Sequence, residues 1–367
     1  MLKNIHLWLP SYVKQQLTRK EIKSRPIHLI FTVVDHFEPK WGKPSSEVEA
    51  QRVDTWVKNY PNLASKHKDS DGCSPRHTFF YPEEEYSVEH ITKLSRLCRE
   101  GFGEIEIHLH HDNDTADGLR KKIEEFKVKL ESHGLLSRDA DNRTRYGFIH
   151  GNWSLDNSRK DGKWCGVNNE LEILNKTGCY ADFTLPSAPS DTQTAKINSI
   201  YYAKDTPKPK SHDRGIDVAV GGKPWGDLMI IQGPLALNWT RLKIENGEIT
   251  LNNPPTPDRI ELWVEQRIGV KGRPDWIFVK VHTHGAQDDN TGYKFFNNLD
   301  AMFGYLETSY TQRSGYRLHY ATAREMYNIV KAAESGNSGE PGEYRDFVLK
   351  SNIKSVSRTS YSVHSTS

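Results

Sequence analysis

The chain is poor in cysteine, with 4 in 367 residues. Cys73, Cys98, Cys165 and Cys179 are scattered and none forms a Cys-x-x-Cys pair. A zinc ribbon, a thioredoxin-like redox site and a disulfide framework are therefore unsupported, and the four read as reduced, partly buried thiols. No uncharged apolar run approaches the roughly 20 residues of a membrane span; the stretch 26–34 is far too short. Neither sign of charge is in excess. Lys and Arg number 50 against 48 Asp and Glu, a net of +2, which argues against a dedicated nucleic-acid or anionic-membrane binder. The basic run 204–214 is short and reads as a solvated loop. No G-x-G-x-x-G follows the first strand, which lowers the dinucleotide-binding alternative, and no internal repeat is visible. The N-terminal residues have no contiguous apolar core followed by small residues, so they do not read as a secretory signal and the expected location is cytoplasmic. Ile5, Trp8, Leu9, Tyr12 and Val13 instead share a helical face expected to dock on the chain's own domain.

What is present is a globular composition, 35% hydrophobic and 27% charged, with 16 His and 9 Trp as its unusual contents. The length suits two domains or one large α/β barrel. Strands and helices alternate, which favours a parallel sheet with helical crossovers. Strands are predicted at 27–35, 77–81, 104–110, 145–150, 179–184, 228–233, 276–284 and 316–320. Helices are predicted at 45–60, 87–100, 114–134, 168–176, 258–267, 295–310 and 321–333. Stretch 151–166 is a long loop rich in Gly, Asn, Asp and Trp, and 203–227 another with Pro and Gly, a length that is uncommon unless the loop has a job or is disordered. Asn246-Gly247 signals a hairpin, taken as a small inserted β-arm near 228–255. The expected organisation is an N-terminal helical segment 1–25, a distorted (β/α) barrel of seven or eight units over 26–334, and a flexible tail 335–367.

Functional residues of parallel barrels gather at the C-terminal ends of strands. Here the first strand ends in Asp35, His36 and Glu38, and the third in His108, His110, His111, Asp112 and Asp114. The fourth ends in His150, Asn152 and Trp153, and a late strand in His282 and His284. Period-two alternation puts Glu104, Glu106, His108 and His110 on one face of the third strand, and Lys280, His282 and His284 on one face of the late strand. In a barrel these polar sets point to the axis. Imidazoles and carboxylates gathered there are costly unless they bind something, and a divalent metal compensates them.

These motifs resemble the polysaccharide deacetylase superfamily (carbohydrate esterase family four and its relatives). V-V-Asp35-His36 stands where that family has an aspartate pair, one residue the catalytic base and the other a metal ligand. G-E-I-E-I-His108-L-H-H-Asp112 stands where it has His-x-x-x-His, and V-K-V-His282-T-His284 where a late His protonates the leaving group. The sequence departs from the pattern in three places. His36 replaces the second aspartate, Asp112 replaces the second metal His unless the frame shifts to His110 or His111, and His150-Gly-Asn152-Trp153 replaces an Arg-Pro-Pro motif. The resemblance implies metal-assisted removal of an acyl group from a carbohydrate. Asp35, His108 and Asp112 would hold a divalent metal, with zinc suited to the His/Asp mixture. His36, His282 and His284 would move protons. His110, His150, Asn152 and Trp153 would contact substrate, with Trp164 and Trp225 in the loops shaping a cleft. Two alternatives stand beside it: a metallophosphoesterase or amidohydrolase barrel, which also ends strands in His-x-His, and a non-catalytic glycan-binding barrel of polysaccharide biosynthesis.

Overall fold

The apolar run at 27–35 forms the central strand of a computed structural model that describes residues 3–287 and 290–353. In chain order the strands are β1 (Ile27–His36), β2 (His77–Pro82), β3 (Gly103–Leu109), β4 (Ser137–Arg138), β5 (Thr144–His150), β6 (Cys179–Asp182), β7 (Ile200–Ala203), β8 (Ile216–Asp217), β9 (Leu228–Ile231), β10 (Ala236–Asn238), β11 (Lys243–Glu245), β12 (Glu248–Ile249), β13 (Trp276–Thr283), β14 (Tyr316–Tyr320) and β15 (Lys350–Ser351). The helices are α1 (Leu9–Thr18), α2 (Ser46–Ala64), α3 (Val88–Arg99), α4 (Ala116–Ser132), α5 (Glu170–Thr177), α6 (Pro257–Glu265), α7 (Tyr293–Ser309) and α8 (Ala323–Glu334). Among the described residues none is long and apolar enough to cross a membrane.

All ten residues of β1 are buried, as expected of a continuous apolar strand covered on both faces. It pairs parallel with β13 on one side, and on the other with β14 through its first half and β2 through its second. The main sheet runs β12-β13-β1-β2-β3-β5-β6-β9-β7-β8 and is mostly parallel; β7 is antiparallel to β8 and β9. Among the described residues its two edges, β12 and β8, do not pair, so the expected barrel is barrel-like but not closed. The gap is bridged by other means. Ala219 pairs with Lys271, and buried Lys280 donates through Nζ to the carbonyls of Phe183 and Leu185, each at 2.6 Å.

Two apolar layers sandwich the sheet. Phe31, Val33, Phe79, Ile105, Ile107 and Val281 face Trp56, Leu94, Ile123 and Phe295 of the outer helices. Ile30, Val34, Phe80, Ile149 and Phe278 face inward against Met326, Ile329 and Val330 of α8. Each such buried apolar side chain contributes roughly 1.5–3 kcal/mol. α8 starts with a capping box between Thr322 and Glu325. It covers the strands' N-terminal half on the inner face, where Arg324 meets Glu104 at 2.7 Å. The inner face at the C-terminal half is left to the polar residues that alternation had put there. Trp8 and Tyr12 dock against Ala188, Ile197 and Leu235, as expected of the N-terminal face, while Val13 turns to solvent.

Two local expectations differ from the fold. Gly247 has the positive φ of a turn, 76°, but the strands around it part: β11 pairs antiparallel with β10, and β12 joins β13. The cause is buried Arg259, whose guanidinium pairs with Glu245 and also donates to the Glu248 carbonyl. The expected arm therefore turns between β10 and β11 and not at Asn246-Gly247. In the predicted flexible tail, residues 341–351 pack: Arg324 and Asn328 donate to the carbonyls of Arg345 and Leu349, and β15 pairs with β4. The Ser-rich end, 354–367, lies outside the described residues.

Candidate metal centre

The C-terminal ends of β1, β3 and β13 converge, because the three strands are parallel and near neighbours in one sheet. His36 and Glu38 from β1 and its loop and His108 from β3 are buried, and each offers a ligand atom within 4.8 Å of the others. Glu38 Oε1 lies 3.2 Å from Nε2 of both His108 and His110, and Glu38 Oε2 accepts from Gln287 Nε2 at 3.0 Å. His108 Nδ1 is 2.8 Å from the Ile149 carbonyl, which puts a ring proton on Nδ1 and turns Nε2 toward Glu38. The His36 ring lies 4.9 Å from His108, 4.6 Å from His284 and 6.0 Å from His282, centroid to centroid. Trp153 closes one side, 6.5 Å from His36 and 6.3 Å from His284.

The electrostatics suit a cation. Burial, reinforced by the imidazoles of His284, His108, His282 and His110, holds His36 neutral, well below the ordinary imidazole range. Burial and then Lys280 do the same to His282. Burial would raise the Glu38 carboxyl, but hydrogen bonds with His108 and His110 outweigh it and keep Glu38 ionised. Burial likewise opposes protonation of His110, yet Glu38 and Glu84 together raise its pKa to about 10. The His36 and His108 imidazoles and the Glu38 carboxylate, with partly exposed His110 and His284 at the rim, form a three-ligand set with an open side.

The residues proposed from sequence divide. His36, His108, His110, His282, His284 and Trp153 come together. Asp35 does not join them: its odd position turns it to the outer face, where Oδ2 meets His77 Nε2 at 2.8 Å and Oδ1 accepts from the Gly285 N–H at 2.7 Å. Asp112 also stands apart. The strand ends at Leu109, so alternation no longer governs it; it is exposed and accepts from the Trp164 N–H at 2.6 Å. His150 faces His111, ring to ring at 4.7 Å, in a separate buried group with Cys165 and Glu170. Asn152 lies in the left-handed region at φ 56° and its carbonyl accepts from Ser154 Oγ. Sequence reasoning named Glu38 at the strand end without giving it a role, and passed over Glu84 and Gln287. Glu38 had a signal, since it follows His36 at the period of two.

A third group, His28, His319 and Glu340, lies at the opposite end of the strands with its imidazoles engaged: His28 Nδ1 is 2.9 Å from His319 Nε2, and His319 Nδ1 2.7 Å from Asp71. A cavity of about 430 Å3 bordered by Arg143, Tyr202, Trp225 and Tyr327 also opens there, beside the N-terminal ends of β5 and β9, and shares no residue with the imidazole cluster.

No protein-family model and no curated protein matches the chain. Among solved structures it is similar to a protein from Mycobacterium smegmatis provisionally described as a polysaccharide deacetylase, with a TM-score of 0.46 and 13% identity over 85% of this chain and 93% of that one. It is also similar to the 4-alpha-glucanotransferase from Thermococcus litoralis, with a TM-score of 0.43 and 11% identity over 83% of this chain and 43% of that one.

Proposed function

We propose that this protein is a metal-dependent hydrolase that removes an acyl group, acetyl foremost, from a carbohydrate. The observation that carries the reading is the meeting of His36, Glu38 and His108 within 4.8 Å, with His110, His284 and Trp153 around them. The motif resemblance to polysaccharide deacetylases supplies the reaction class. The proposed ligands are His36, Glu38 and His108 in place of Asp35, His108 and Asp112. A divalent ion there, zinc by its donor set, would polarise an acyl carbonyl and acidify a water.

The chain's own groups do the rest. Gln287 fixes Glu38 from the side away from the imidazoles, so one carboxylate oxygen stays toward the cluster. His284, partly exposed and across the rim from His108, is the group placed to hold the proton that a departing amine or alkoxide needs. His282 is buried two residues before it on the same face, its ring 6.0 Å from His36. Trp153 offers an indole wall beside His36 and His284, where a sugar ring would lie.

The test is turnover. Zinc-loaded protein should release acetate from acetylated amino sugars or sugar esters, and removing zinc with a chelator should abolish it reversibly. Hydrolysis of phosphoesters with none of acylated sugars would replace this reading by the metallophosphoesterase one. Glycan binding without turnover in any divalent metal would replace it by the non-catalytic one.

A further inference from the structure

The four residues His111, His150, Cys165 and Glu170 come from the end of β3, the end of β5, the long loop and the first turn of α5. All are buried, and each presents a ligand atom within 4.8 Å of the others. We propose that they form a second, closed site for a thiophilic divalent cation of the zinc class, which pins the 151–169 segment to the strand ends. This site shares no ligand with the proposed hydrolytic centre and does not depend on that reading.

The spacing fits a coordination shell. Bonds of about 2.0–2.3 Å in a tetrahedron place neighbouring ligand atoms roughly 3.3–3.8 Å apart. Here His111 Nε2 lies 3.2 Å from Glu170 Oε1, His150 Nε2 lies 3.6 Å from the same oxygen, and Cys165 Sγ lies 3.5 Å from Glu170 Oε2. Hydrogen bonding alone does not satisfy the group. His150 Nδ1 is engaged by the Gly151 carbonyl, so its proton resides there and Nε2 presents a lone pair. Among the described residues that Nε2 is buried with no hydrogen-bond partner. It faces a carboxylate oxygen, lone pair toward lone pair, at a distance beyond a hydrogen bond. A cation between them turns that repulsion into ligation.

The outer contacts are those a metal site uses. His111 Nδ1 lies 3.2 Å from Asp114 Oδ2 without hydrogen-bond alignment, Lys122 holds that oxygen at 2.7 Å, and His111 Nε2 points inward to Glu170. The backbone N–H groups of Asn157 and Val167 point at Cys165 Sγ, at 3.3 and 3.4 Å, as donors to the sulfur. Glu170 Oε2 accepts from the Asp156 N–H at 2.6 Å. A thiolate with two imidazoles selects zinc over magnesium or calcium. The segment so held carries Trp153, Asp156, Asn157 and Trp164 at positive φ, a conformation that needs external support.

Cobalt substitution of the full chain tests this. The protein stripped of zinc and reloaded with cobalt(II) should show a thiolate-to-cobalt charge-transfer band in the ultraviolet. Cys165→Ala should abolish that band, while Cys73→Ala and His108→Ala keep it. Bound zinc should fall by one equivalent in Glu170→Gln. Wild-type protein that binds cobalt without a thiolate band, or a band that survives Cys165→Ala, overturns the proposal, and the wild-type spectrum decides even if Cys165→Ala does not fold. Loss of acyl hydrolysis in His108→Ala with the band intact bears only on the hydrolytic centre.

Discussion

The Asp35 carboxylate accepts the backbone N–H of Gly285 at 2.7 Å, across 250 residues of sequence. The approach is so close that a Cβ on Gly285 would come within 2.3 Å of Asp35 Oδ2 and 2.4 Å of Trp56. Asp35 thus anchors the chain immediately after His284 and positions that imidazole without touching the cluster. Asp35→Asn should lower stability by about 1–3 kcal/mol, the cost of unsatisfied buried polar groups around His77 and Gly285, and should leave bound metal unchanged. Thermal unfolding and metal analysis of one preparation check both halves. Loss of metal would restore Asp35 as a ligand.

Glu38 and Asp112 give the complementary pair. Glu38→Ala removes a buried carboxylate from between two imidazoles, so the hydrolytic centre should lose its metal. Asp112→Ala removes only an exposed acceptor for the Trp164 N–H and should keep it. Zinc per chain, measured on both variants, separates the two assignments.

Glu106 sets a pH dependence. Burial, partly offset by hydrogen bonds from the Gly147 N–H and Tyr180, raises its carboxyl from 4.5 to about 8. The folded chain therefore holds a proton there that the unfolded chain gives up. That contribution to stability is complete below pH 4.5 and is lost as pH rises toward 8. Between these values the urea midpoint should fall with pH through this group, and Glu106→Gln should flatten that slope. An unchanged slope would show that Glu106 is ionised in the native protein.

Arg324 is buried and its guanidinium meets Glu104 at 2.7 Å while also donating to the Leu349 carbonyl at 2.9 Å. Arg324→Met leaves Glu104 buried without its cation and should cost about 3–5 kcal/mol. The double variant with Glu104→Gln should recover part of that loss. Denaturant unfolding of the four proteins of the cycle measures the coupling.

Much of this was legible along the chain. The strand ends that carry His36, His108 and His284 were found because buried strands announce themselves as short apolar runs, and alternation on β3 and β13 gave the inward face of Glu106, His108 and His282. The same alternation separated Asp35 from His36 and joined His36 to Glu38, but motif spacing assigned Asp35 to the metal. Cys165 read as a bland thiol and Glu170 was only one residue of the predicted helix 168–176, since nothing local links a loop cysteine to a helix carboxylate.

By itself, then, the order of residues determined which strands form, which of their faces is polar and at which end the imidazoles lie, because a period of two and a run of apolar side chains act over a few neighbours. Only the folded chain decided which acid completes each cluster, and that His111 and His150 leave one group of imidazoles to meet Cys165 and Glu170. Those contacts depend on the path of loops whose conformation is set by distant partners, and no short-range pattern encodes them.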